Sequence, residues 1–137
     1  MVNAEPPHEF YELIVMAQRG QLQRHLAVYT GIRTQKGTYV EHMSPTRGMT
    51  LFEPGPSQAV DNRSPVFEWG YGGSGPAQLA IAILLDFTGS EKLAVKCFHD
   101  YKWQVIAKLG DRWTITGPEV MAWLNSKGIT EDDLAAM

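Results

Sequence analysis

Apolar positions change their spacing along this chain, and each change marks an element. Between His8 and Arg19, Phe10, Leu13, Ile14 and Ala17 recur at three- and four-residue steps, the period of an amphipathic helix. Gly20 is placed to stop it. The period then becomes two. Leu26, Val28, Thr30 and Ile32 alternate with Ala27, Tyr29, Gly31 and Arg33, as on the two faces of a strand. Val28 and Ile32 are expected to face the core, with Tyr29, Gly31 and Arg33 projecting from the other face. A turn signal around Gly37, followed by TYVEHM, predicts a hairpin. Residues 44–65 hold Pro45, Pro54, Pro56 and Pro65, a long connection with a short strand expected at Met49–Phe52.

VFEW at 66–69 reads as a further short strand. Pro76 suits the first turn of a helix, where its missing N–H costs nothing. From Ala77 to Phe87 that helix is apolar nearly all round, which predicts a central, buried position. Gly89 ends it and Ser90 can cap the next helix. The stripe of that next helix is Leu93, Ala94, Cys97, Phe98, Tyr101, Val105 and Leu109, with Lys92, Lys96, His99 and Lys108 outside. Trp113 and Ile115 alternate as a strand. Thr116 and Glu119 have capping-box spacing for a helix over 118–125, and Gly128 stops it. Thr130 opens a last acidic turn. The predicted fold is α+β: a small antiparallel sheet packed on a central buried helix (76–88) and a second long helix (90–109). Residues 1–137 are read as one domain, with 1–8 a loose lead-in.

Composition removes several functions. A length of 137 residues suits one compact domain. The net charge of −3 comes with no basic stripe, which argues against a double-stranded nucleic-acid binder. Cys97 is the lone cysteine and lies on an apolar stripe, as a structural thiol in a reducing compartment does. The N-terminal residues lack a basic flank and a long apolar run, so no signal peptide is read. AQLAIAILLDF falls short of the ~20 residues a membrane span needs. A cytoplasmic protein without a membrane partner is expected. His8, His25, His42 and His99 show no ligand spacing, so neither metal nor cofactor is expected.

The stretch WGYGGSGPAQLA draws the most attention. Gly70, Gly72 and Gly75 match G-x-G-x-x-G, but a second long helix stands where a dinucleotide fold needs a strand. No Gly-Lys-Ser/Thr ends the loop, so it is not a P-loop. Ser74 lacks the second glycine of a nucleophile elbow. Two readings remain. A glycine loop at a helix N-terminus can present amides to an anion, or it can simply turn the chain tightly into a buried helix. The candidate ligand-binding set is Trp69, Tyr71, Gly72, Gly73, Ser74 and Gly75, joined by Tyr29, Gly31 and Arg33 from the strand. Arg33 offers a planar fork to phosphate or carboxylate; its alternative is a salt bridge to Glu68 or Glu41. Ser74 can cap the helix or touch a bound oxygen. Trp103, beside Lys102 and opposite the main stripe, is a candidate exposed interface residue. No catalytic residue is identified.

The run WGYGGSGPAQLAIAIL resembles the signature of an uncharacterised domain-of-unknown-function family of small phage, plasmid, bacterial and archaeal proteins. Tyr29-x-Gly31-x-Arg33 upstream and Trp113-x-Ile115 with Trp123-Leu124 downstream fit the same resemblance, over residues 26–125. It implies a mobile-element setting and no particular chemistry. The expected function is a phage or mobile-element accessory binding protein that sequesters or contacts a host component. That component is a nucleotide-like anion or a host defence protein, held at the glycine loop. The alternatives are an enzyme acting on a nucleotide-like substrate, or a structural subunit assembling as a homo-oligomer through Trp103.

Overall fold

Glycines and capping side chains set most element ends. A computed structural model describes residues 10–12, 14–15 and 20–137. Residues 10–12 and 14–15 are helical. The remainder of the helix expected over 8–19, and the expected lead-in, lie outside the described residues. The elements that follow are α1 (Gln21–Leu26), β1 (Val28–Thr34), β2 (Gly37–Ser44), β3 (Gly48–Leu51), α2 (Gly55–Gln58), α3 (Ser74–Thr88) and α4 (Glu91–Gln104). A 3-10 turn (Ile106–Lys108), β4 (Arg112–Thr116), α5 (Gly117–Ser126) and α6 (Glu131–Ala135) complete the chain. The strand expected from Leu26 begins instead at Val28. Gly20, left-handed at φ 76°, opens a short helix, and extended backbone resumes only at Ala27.

The strands form an antiparallel sheet in the order β3-β2-β1-β4. Its inner face packs on the helices, giving an α+β fold. Which face of β1 turns inward is a correction to the sequence reading. Ala27, Tyr29 and Gly31 are buried, while Val28, Thr30 and Ile32 lie on the outer, partly exposed face. Alternation groups residues by face but does not choose the inward one. The choice follows from room: Trp113 of β4 lies over Gly31, where a Cβ would sit 2.3 Å from the indole. Only glycine lets that ring lie against the strand.

α3 is buried from Gly75 to Leu84, as its uniform apolarity demands. Gly89 ends it at φ 69°, its amide donating to the carbonyl of Leu85. Ser90 Oγ accepts from the amide of Leu93 and starts α4. α4 stops at Gln104 rather than at 109. Val105 leaves helical space at φ −123°, and the 3-10 turn then directs fully buried Ile106 into the core. Complete capping boxes open α5 (Thr116 with Glu119) and α6 (Thr130 with Asp133).

VFEW joins no ladder, contrary to expectation. It passes beside β1 and β2, but β1 already has β2 and β4 as neighbours. A side chain replaces the ladder: Thr38 Oγ1 donates to the carbonyl of Phe67. The connection over 44–65 carries β3 and the short helix α2, and Gln78 ties its end down. This fully buried amide accepts the N–H groups of Arg63 and Ser64, and donates to Ser57 Oγ and the carbonyl of Asp61. With donors and acceptor all engaged, a polar side chain in the central helix carries little penalty. No described helix is long and apolar enough to cross a membrane.

Candidate functional site

Arg33 fixes the geometry beside the glycine loop. Its guanidinium donates to Glu68 Oε1, to Asp111 Oδ1 and to the carbonyl of Trp69, each at 2.7 Å. It also stacks 5.0 Å from the Trp69 ring. The hydrogen bond to Glu68, then that to Asp111, raises its pKa further, so the group is always charged. The backbone continues the tie, with the Arg33 amide donating to the carbonyl of Asp111. The partner anticipated in Glu68 is therefore present, and Arg33's fork is filled by protein groups. Trp69 is fully buried and its Nε1 donates to the carbonyl of Gly110 at 2.7 Å. It meets Trp113 edge-on at 5.5 Å. Both residues act as supports under the loop.

The loop glycines have separate causes. Gly70 stands at φ 86°, a left-handed conformation suited to glycine, and its amide is taken by the carbonyl of Ile106. At Gly72 a Cβ would lie 2.0 Å from the Trp103 ring. At Gly73 it would lie 2.6 Å from the ring of Tyr71. At Gly75 it would meet the Cβ of Glu68 at 2.7 Å, where α3 packs on that side chain. Two aromatic rings are thus seated on bare glycine backbone. Both stay half open to solvent, Tyr71 at 51% and Trp103 at 50% exposure. Lys102 Nζ lies 4.7 Å from the Trp103 ring centre.

Ser74 does not cap the helix: it is the first helical residue, and the N-cap is Gly73, with no side-chain cap. Among the described residues, no protein acceptor meets the amides of Gly72, Gly73 and Ser74. The loop therefore offers open donors beside two exposed rings. Its ionic surroundings are Arg33 with both Glu68 and Asp111, so this cluster carries one more negative than positive charge.

The predicted set does not converge on one place. Arg33, Trp69, Tyr71 and Gly72 to Gly75 gather at one end of the sheet. Gly31 lies under Trp113. Tyr29 is fully buried at the other end of β1, where its hydroxyl donates to Asp86 Oδ2 at 2.6 Å. Its ring stacks on His42 at 4.8 Å, and His42 Nε2 lies 3.2 Å from the same Oδ2. Burial, then the Asp86 carboxylate, raises the Tyr29 pKa well above its ordinary value. His42 and Asp86 were missed by the sequence reading, although both left a signal. Asp86 is the only charged residue in AQLAIAILLDF, and a two-residue turn at Gln35–Lys36 puts His42 opposite Tyr29. Cys97 is buried and its thiol is pushed up by that burial, which leaves it unreactive. Among the described residues, no group of three or more His, Cys, Asp or Glu is placed to hold a metal.

Together these features define an α+β chain whose glycine turn feeds a buried helix and seats aromatic rings at the surface. The chain belongs to DUF6166, a family of unknown function, whose model matches residues 29–126. The matched span runs from Tyr29 through the glycine loop to the end of α5. No curated protein and no solved structure matches the chain.

Proposed function

We propose that this chain is a non-catalytic binding protein that docks on a partner protein through Tyr71, Trp103 and the amides of Gly72, Gly73 and Ser74. The supporting observation is the seating of the two rings. Leaving half of a large aromatic side chain in water forgoes roughly 2 kcal/mol of burial, and glycines in place of larger residues loosen the unfolded chain further. Both costs fall on the same surface. The loop has the anatomy of an interface: an aromatic centre, open backbone donors, and a charged rim of Arg33, Glu68 and Asp111. An anion is the weaker occupant, because the arginine that would neutralise it is already engaged. A host protein met by a phage or mobile-element accessory protein belongs to this reading.

The test compares immobilised wild-type chain with a Tyr71→Ala/Trp103→Ala double variant as baits for host-cell protein. The wild type is expected to retain a partner that the double variant holds about 100-fold or more weakly, as for paired aromatic hot spots. Thermal midpoints of the two baits are expected to agree closely, since both rings are half exposed. Recovery of the same proteins in equal yield from both baits overturns the reading.

A further inference from the structure

The other end of β1 opens on a groove that the partner-docking surface does not use. A cavity of about 490 Å³ is bordered by Gln23, Tyr29, His42, Thr46, Arg47 and Asp86, among others. A second of about 260 Å³ adjoins it, and His42, Arg47 and Asp86 line both. The combined space is of the size that small-molecule sites occupy. The two halves differ in character. The larger is edged by Gln23, Ser44 and Thr46, and the smaller by Phe52, Pro56, Ala82 and Leu85.

We propose that this groove is a binding site for a nucleoside monophosphate. Each part of such a ligand has a counterpart. Arg47 is exposed at the mouth of both cavities, with its amide donating to Ser44 Oγ. Among the described residues its guanidinium has no acidic partner, so the planar fork is open to a phosphate. Arg24 adds positive charge to the larger cavity, although Glu131 holds it at 2.6 Å. Asp86 is set to receive hydroxyl donors. Its Oδ2 accepts the Tyr29 hydroxyl and lies 3.2 Å from His42 Nε2, while a third of its side chain is exposed. Oδ1 does not take the Tyr29 bond and is the acceptor for a sugar hydroxyl. The apolar half, walled by Phe52 and Leu85, suits a flat base.

The wall is also preorganised. Tyr29 and His42 stack within 10° of parallel, and Phe52 tilts against both at 5.5 and 5.6 Å. A ligand meeting this carboxylate finds it already oriented, so little order is lost on binding.

Thermal shift and titration calorimetry with AMP, GMP, CMP and UMP at millimolar concentration test the assignment. Inorganic phosphate, ribose 5-phosphate and the free nucleosides serve as comparison probes. At least one monophosphate is expected to raise the midpoint by several degrees, by preferential binding to the folded state. Arg47→Ala is expected to abolish that shift while leaving the ligand-free midpoint in place, because its side chain is exposed. Asp86→Asn keeps the shape and removes the charge, and is expected to weaken binding roughly 10-fold. The proposal is overturned by no shift with any of the four monophosphates, or by an undiminished shift in Arg47→Ala. A shift reproduced in full by phosphate, ribose 5-phosphate or a free nucleoside overturns it as well.

Discussion

Tyr29 and Arg33 sit on the same face of one strand, yet the two ends of that face have been finished differently. Around Arg33 both terminal nitrogens of the side chain are held by the protein, through three hydrogen bonds, and Trp69 fills the space below with no exposure at all. Around Tyr29 the hydroxyl is equally well held, but the carboxylate that holds it borders an open groove. The first end is a structural clamp joining β1, the glycine loop and the turn before β4. The second is a polar wall. The comparison teaches that a conspicuous arginine beside a glycine loop need not mark a ligand. What matters is whether its donors are already engaged.

The clamp gives the largest expected effect. Trp69→Ala removes a fully buried indole, the Trp113 contact and the platform under Arg33. It is expected to cost about 3–5 kcal/mol, a large part of the stability of a small domain. Urea denaturation followed by circular dichroism measures it. A loss under ~1 kcal/mol, the scale of a surface substitution, would mean that this end is not closed core. Arg33→Ala should cost less, about 1–2 kcal/mol, because the side chain is a third exposed and its ion pairs are partly screened. It leaves Glu68 and Asp111 without their shared cation and the Trp69 carbonyl without its donor. Arg33→Lys is expected to recover only part of the loss, since an ammonium cannot reproduce the fork. Full recovery by lysine would reduce the clamp to simple charge.

How far the sequence reveals this contrast depends on the kind of signal. Caps and left-handed glycines are local, so Gly89, Ser90, Thr116 with Glu119, and Thr130 could be read directly, and the helices they delimit follow. The uniform apolarity of α3 announced its burial. The inward face of β1 could not be read, because it rests on Trp113 of β4 finding room over Gly31, a contact distant in sequence. VFEW looked like a strand because its composition suits one, but pairing needs a vacant neighbour, and β1 had none. At the loop, glycine spacing was legible while its cause was not. Trp103 lies on α4, and nothing local to the loop says that its ring rests on Gly72. The Asp86 wall draws on β1, β2 and α3 together, so only the fold assembles it.

The smallest effect separates the hydroxyl at the open end from its ring. Tyr29→Phe keeps the stack on His42 and deletes the hydrogen bond to Asp86, which retains His42 as a partner. About 1 kcal/mol is expected at neutral pH, the net worth of an ordinary intramolecular hydrogen bond. The alkaline range gives a sharper sign. In the folded chain burial, then Asp86, lifts the Tyr29 pKa well above 10.0, whereas the unfolded phenol ionises near 10. The unfolded state therefore loses its proton first as pH rises. Its stabilising contribution is complete below pH ~10 and declines as pH climbs beyond that value. Tyr101, also raised by burial, adds a decline of the same sign. Urea midpoints of the wild type are thus expected to fall above pH ~10, and those of Tyr29→Phe to fall less steeply because the Tyr29 contribution is gone while those of Tyr101 and the raised Cys97 thiol remain. Equal slopes in the two proteins would mean that Tyr29 ionises as readily folded as unfolded. The open groove would then reach the phenol itself, rather than stopping at the Asp86 carboxylate.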